Sequence, residues 1–79
     1  MIDKDLETLD LRGIPCPRNT AKALMFLEVL DVEEKCLIII DDGEPLDNFL
    51  ESLEMETGYK IISKISEDNY WNILILKES

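Results

Sequence analysis

The sequence contains no histidine, and this absence excludes much of the familiar catalytic repertoire. Ser-His and Cys-His dyads need an imidazole as the base, so neither is possible. Only two cysteines, Cys16 and Cys36, are present, without Cys-x-x-Cys spacing, so they cannot supply a four-ligand zinc site by themselves. We also expect no signal peptide, and the sequence has no long apolar run. We therefore expect no disulfide framework and no membrane span, and a cytoplasmic protein whose thiols stay reduced.

Positive charge is scarce as well. Eight Lys and Arg stand against eighteen Asp and Glu, which gives a formal net charge of −10. Such a surface repels nucleic acid over most of its area, so we expect no direct DNA binding and only an indirect connection with RNA. A chain of 79 residues forms one small domain, taken here as residues 1–79, with a modest core.

The apolar residues that are present divide the chain into six short elements. Rough alternation over residues 6–11 predicts a strand, and alternation over 59–66 and 70–77 predicts a hairpin. The apolar run at 35–41 predicts a buried strand. Two segments have one apolar helical face, the first after Pro17 and ending near Asp31, the second starting at Pro45 and ending at Gly58.

The resulting order is β-α-β-α-β-β. Right-handed crossovers place both helices on one face of a four-stranded mixed sheet, which predicts an α/β (α+β) two-layer sandwich. The other sheet face is left with little cover. In the last strand, one of two alternating sets of residues faces away from the helices: Tyr70, Asn72, Leu74 and Leu76, or Trp71, Ile73 and Ile75. This uncovered face suggests weak self-association.

Cys16 lies between Pro15 and Pro17 at the predicted strand-to-helix turn. With Pro17 as the first helical residue, the thiol becomes the N-cap side chain, where free N–H groups and the helix dipole favour a thiolate. Arg12, Arg18 and Lys22 add local positive charge. Two interpretations are open at this point: Cys16 is a small buried residue, or it is a reactive thiol.

Other candidate features favour structural roles. Cys36 begins a strand at the opposite end of the sheet from Cys16, so we predict a core residue and no disulfide. The residues Met25, Phe26 and Val29 either wrap the edge of the core or form a docking ridge. Asp41 and Asp42 are interpreted as surface carboxylates, with no metal assigned. Asp10 either pairs with Arg12 or fixes the turn.

The segment LDLRGIPCP at residues 9–17, the IIIDD strand, and the TGY that precedes the final hairpin resemble the TusA/SirA family of small sulfur carriers. The resemblance covers essentially the whole chain and implies the same two-layer fold. It also implies a sulfur-relay protein in which Cys16 accepts sulfur as a persulfide from a cysteine desulfurase or other donor and passes it to an acceptor protein. The relay would serve tRNA thiolation or another sulfur-transfer pathway, without a cofactor, a metal or a conventional small-molecule active site.

The sequence departs from the family's Cys-Pro-x-Pro motif at Asn19, which occupies the position of the second proline. The change returns a backbone N–H at the start of the helix, which we expect to be available to a bound anion. The residues expected to bind or to shape the loop are Arg12, Gly13, Pro15, Pro17, Arg18, Asn19 and Lys22. The alternative function is a non-catalytic interaction or regulatory module in which Cys16 is structural.

Overall fold

Two helices pack on one four-stranded sheet in a computed structural model that describes residues 6–15 and 17–78. The elements follow the predicted β-α-β-α-β-β order. They are β1 (Leu6–Asp10), α1 (Arg18–Glu28), β2 (Lys35–Asp41), α2 (Glu44–Glu54), β3 (Tyr59–Ser66) and β4 (Tyr70–Lys77). The predicted two-layer sandwich is therefore confirmed.

The sheet has the strand order β1-β2-β4-β3. Strands β1 and β2 are parallel, while β4 runs antiparallel to both β2 and β3. A parallel pair needs a crossover connection, which α1 supplies, whereas β3 and β4 need only the short turn that follows Glu67. The carboxyl ends of β1 and β2 consequently meet at one edge, and the loop into α1 leaves from that edge.

The core lies between the helices and the sheet. Alternation along β2 and β4 directs Cys36, Ile38, Ile40, Ile73 and Ile75 towards the helices, and each is fully buried. The helices contribute an apolar stripe at three- and four-residue spacing. Its buried members are Ala23, Leu27 and Leu30 from α1 and the segment after it, and Leu46, Phe49 and Leu53 from α2.

The opposite side of the sheet carries no helix, and we call it the open face. In β4 it is formed by Tyr70, Asn72, Leu74 and Leu76, because Ile73 and Ile75 face the helices. This settles the choice that alternation alone left open. Adjacent strands add Thr8, Asp10, Lys35, Leu37, Ile39, Asp41, Lys60, Ser63 and Ile65.

A bulge interrupts β3. Ile61 pairs with Ile75 and Ser63 with Leu74, so Ile62 has no partner of its own in β4. An extra residue reverses the alternation that follows it. Lys60 consequently lies on the open face, whereas Lys64, paired with the buried Ile73, lies on the helix side.

The helix boundaries differ from those predicted. Pro17 is the N-cap of α1, with φ −89°, and Arg18 is its first residue, so the prediction that Cys16 is the N-cap was wrong by one position. Helix α1 ends at Glu28 and α2 at Glu54, before the predicted stops. In the described ranges, neither helix is long and apolar enough to cross a membrane.

Candidate functional site

The loop that joins β1 to α1 is fixed to the body of the protein on both sides of Gly13. Leu11 is buried, and its N–H donates to the carbonyl oxygen of Ile39 at 2.7 Å, which extends the pairing of β1 with β2. Ile14 donates back to the Leu11 carbonyl at 3.2 Å and packs against the core. The chain therefore turns sharply between two apolar anchors.

Gly13 forms the turn itself. Its φ of +81° lies in the left-handed region, which side chains with a Cβ adopt at a cost. Its N–H donates to Oδ2 of Asp41 at 2.8 Å, at the end of the neighbouring parallel strand. This hydrogen bond to a carboxylate ties the exposed tip of the loop to β2.

Arg12 is bound by its neighbours instead of being free. Its Nε and Nη2 donate to the two carboxylate oxygens of Asp10 at 3.0 and 2.7 Å, and its guanidinium lies 4.6 Å from the ring centre of Tyr70. The Arg12 N–H also donates to Asp10, so the carboxylate both pairs with the side chain and fixes the turn. These hydrogen bonds lower the pKa of Asp10 to about 2 and raise the pKa of Arg12. The positive charge of Arg12 is thus already compensated.

The first turn of α1 carries no acidic residue, and both Arg18, its first residue, and Lys22, one turn further on, are exposed. The N–H of Ala21 donates to the carbonyl of Pro17 at 3.0 Å. The N–H groups of Asn19 and Thr20 are also hydrogen-bonded, so what favours an anion at this end of α1 is the positive charge and the helix dipole.

Asn19 does not have the free backbone N–H that its replacement of proline suggested. That N–H donates to the Pro15 carbonyl at 3.1 Å, so the expectation of an available N–H was wrong. The Asn19 side chain is fully buried. Its Oδ1 accepts from the N–H of Thr20 at 2.6 Å, whereas Nδ2 has no hydrogen-bond partner among the described residues. Asn19 therefore closes the turn through its backbone and brings a costly polar group into the core.

The structure describes only one of the two cysteines. Cys16 lies outside the described residues, between Pro15 and Pro17, both of which are exposed. Cys36 is a free cysteine with no exposed surface. Its burial, and secondarily the charge of Glu7, raise the pKa of its thiol to about 12. Cys36 is the core residue that the sequence predicted and is not a thiolate at neutral pH.

Two residues important for the loop were missed by the sequence reasoning. Asp41 was interpreted as a surface carboxylate, but it holds Gly13, and Tyr70 was not connected with Arg12. The signal for Asp41 was its place at the carboxyl end of a strand parallel to β1. Asp42 likewise has a defined role, since its Oδ1 accepts from Nε1 of Trp71 at 2.8 Å.

No cluster of three or more potential metal ligands occurs within residues 6–15 and 17–78. Met25 of α1 and Val29, the C-cap that follows it, are exposed, while Phe26 is half-buried and packs against the core. Phe26 thus wraps the core edge, and the two exposed residues lie beyond it.

The fold and loop define a class: a small two-layer domain that presents a strand-to-helix loop at the carboxyl edge of a parallel strand pair. A family model described as Sulfurtransferase TusA matches residues 7–77. The chain therefore belongs to the TusA sulfurtransferase family, which implies a sulfur-carrier role and partner proteins that supply and receive sulfur. No curated protein matches the chain.

Proposed function

We propose that this protein carries sulfur as a persulfide on Cys16 and passes it to an acceptor protein. The observation that supports this assignment most directly is the state of the other cysteine. Cys36 is fully buried and its thiol pKa is raised to about 12, so it offers neither access nor a thiolate. In a chain with two cysteines, sulfur chemistry then falls to Cys16.

The transfer consists of two thiol exchange steps. The Cys16 thiolate attacks the terminal sulfur of a donor persulfide, forming a new S–S bond while the donor cysteine leaves as a thiolate. A thiolate of the acceptor then attacks the terminal sulfur on Cys16, and Cys16 leaves in turn. Each step moves one sulfur atom without net oxidation or reduction. The chain needs no histidine for this chemistry, because the partner supplies any further acid or base.

The surroundings of the loop support such a role. Arg18 and Lys22 are exposed near the start of α1, whose first turn has no acidic residue, and their positive charge favours an anionic sulfur nearby. Arg12 instead serves the loop structure, since Asp10 already binds its guanidinium. Pro15 and Pro17 restrict the backbone conformations of the loop, so little entropy is lost when a partner binds it, whereas Gly13 permits its sharp turn.

We place the relay in the cytoplasm, where thiols remain reduced. The proposed donor is a cysteine desulfurase or another protein persulfide, and the proposed acceptor is a protein of tRNA thiolation or of another sulfur-transfer pathway. RNA would then be reached only through the acceptor, consistent with a net charge of −10.

A second candidate is a non-catalytic interaction module, and Asn19 is the observation that favours it. Its backbone N–H is occupied by Pro15, and its Nδ2 has no partner in the described part of the chain. In this second candidate, a chain with Asn19 at this position keeps the fold but no longer transfers sulfur. The two candidates differ in whether Cys16 ever receives sulfur.

The test is loading by a cysteine desulfurase with free cysteine, followed by intact mass measurement. We expect a single-sulfur adduct that a reductant removes, that Cys16→Ser lacks and that Cys36→Ala retains. An adduct that survives in Cys16→Ser would refute the assignment of the site. Asn19→Pro, which restores the family motif, separates the candidates: loading similar to wild type supports the carrier, whereas loading only in Asn19→Pro supports the interaction module.

A further inference from the structure

The open face of the sheet is arranged in rows whose charge changes sign from one end to the other. At one end, Lys35 of β2 and Lys60 of β3 flank Leu76 of β4, and we call these three residues the basic row. At the other end, Asp41 of β2 lies beside Tyr70, with Glu67 on the far side. We call Asp41, Tyr70 and Glu67 the acidic row.

Two contacts establish that Glu67 belongs to this face. Its N–H donates to the Tyr70 carbonyl at 2.8 Å, so it continues the pairing of β3 with β4. Its side chain accepts from Nδ2 of Asn72 at 3.3 Å, and Asn72 lies on the open face. Asp10 and Arg12, at the same end, neutralise each other in their salt bridge.

Apolar side chains fill the space between the two rows. Leu37, Ile39 and Leu74 are half-buried by their neighbours in the sheet, and Ile65 is 55% exposed. No element of the described chain covers them. This combination of an apolar centre and charged ends favours a partner of matching pattern.

We propose that the partner is a second copy of this chain, stacked open face to open face. A two-fold axis lying between the sheets and perpendicular to the strands sets β2 against β2 with reversed direction. The rows are then reversed as well. The basic row of each copy faces the acidic row of the other, which brings Lys35 over Asp41 and Lys60 over Glu67, with Leu76 opposite Tyr70 and the Arg12 guanidinium that lies against it. An axis along the strands would instead set lysine near lysine.

The dimer is weak. Four strands about 4.8 Å apart, with about 20 Å between the outer rows, give a face of about 400 Å² per copy, half of the usual 800 Å². The net charge of −10 on each copy opposes association at long range. Glu33 and Glu78 also line the depression that contains Lys35 and Leu76, so Lys60 is the cleaner residue to test.

The bulge in β3 provides a matched control. Lys60 and Lys64 lie in the same strand and are both exposed, but only Lys60 is on the open face. Lys60→Glu and Lys64→Glu change the net charge equally. Glu67→Lys has the opposite effect on net charge and is matched by Glu51→Lys, at an exposed position of α2.

Sedimentation equilibrium at concentrations up to about 1 mM tests the proposal, with far-UV circular dichroism to verify that each variant is folded. We expect a wild-type dissociation constant between about 10 μM and 1 mM. Lys60→Glu and Glu67→Lys should each weaken association about 10-fold, while Lys64→Glu and Glu51→Lys stay within about twofold of wild type. An equimolar mixture of Lys60→Glu and Glu67→Lys should associate like wild type, because in the mixed dimer the introduced carboxylate of one copy faces the introduced ammonium of the other.

Three results would overturn the proposal. The first is a wild-type protein that is monomeric at about 1 mM. The second is a loss of association in Lys64→Glu equal to that in Lys60→Glu, which would assign the effect to net charge. The third is a mixture of the two open-face variants that stays monomeric.

Discussion

Removing the carboxylate of Asp41 should release the tip of the loop without unfolding the protein. Asp41 accepts from the Gly13 N–H at 2.8 Å, across 28 positions of sequence. This hydrogen bond links the exposed glycine to β2, whereas the hydrogen bonds of Leu11 and Ile14 hold the loop on either side of it. In Asp41→Ala, Gly13 keeps its turn geometry but loses its link to the sheet.

The size of the effect follows from exposure. A hydrogen bond to a charged acceptor contributes about 1.5–3 kcal/mol when water is excluded. Gly13 is exposed and Asp41 is half-buried, so water replaces part of the lost interaction, and we expect a loss of about 1 kcal/mol in the free energy of unfolding. For a domain of this size, that change lowers the Tm by about 4–8 °C. Asp41→Asn, which keeps an oxygen acceptor, should lose about half as much.

Amide hydrogen exchange measured by NMR locates the change. The Gly13 amide should exchange about tenfold faster or more in Asp41→Ala, while the Leu11 amide, bonded to Ile39, should show only the small global change. Asp42→Ala is the matched control, because the Asp42 side chain binds Trp71 and should alter indole fluorescence while leaving Gly13 exchange at the wild-type rate. An unchanged exchange rate of the Gly13 amide in Asp41→Ala would refute the role of Asp41 in holding the loop.

Three further predictions concern residues near the loop and in the core. Cys36→Ser should lower the free energy of unfolding by about 1–3 kcal/mol in urea titration, since it buries a hydroxyl in an apolar site; an unchanged midpoint would contradict the burial of Cys36. NMR titration should find the Asp10 carboxyl midpoint near pH 2, moving towards 3.8 in Arg12→Gln. Because the folded pKa is depressed, any stability from this pair is present above about pH 4 and is lost as the pH falls through 2. Gly13→Ala should cost about 1–2 kcal/mol by thermal unfolding, because its φ is +81° while no atom crowds the site; a neutral result would mean that the turn relaxes.

Turn-forming residues between the apolar runs explain why much of the fold was predictable from the sequence. The bounds of β2, β3 and β4 agree with the prediction, because turn-forming residues such as Gly58 and the segment 67–69 stop each apolar run. The helix ends were less accurate. Leu30 continues the apolar stripe of α1 beyond its last helical residue, Glu28, so periodicity extended the helix too far.

The candidate site was predictable only where its residues are close in sequence. The positive charges at the start of α1 and the pairing of Asp10 with Arg12 were visible as neighbours. The backbone partner of Asn19 was not, since whether its N–H is free depends on the conformation in which Pro15 presents its carbonyl. A residue type defines which hydrogen bonds are possible, and the backbone path decides which of them form.

The amino-acid sequence alone is sufficient to predict six elements, a two-layer arrangement, a buried Cys36 and membership of the TusA sulfurtransferase family. These follow from periodicity, turn chemistry and motif, which are local properties. The tether from Asp41 to Gly13, the stacking of Tyr70 on Arg12 and the placement of Lys60 and Lys64 on opposite faces required the assembled sheet. The first two depend on contacts between residues distant in sequence, and the third depends on the register of β3 with β4, which a single bulge residue is enough to reverse.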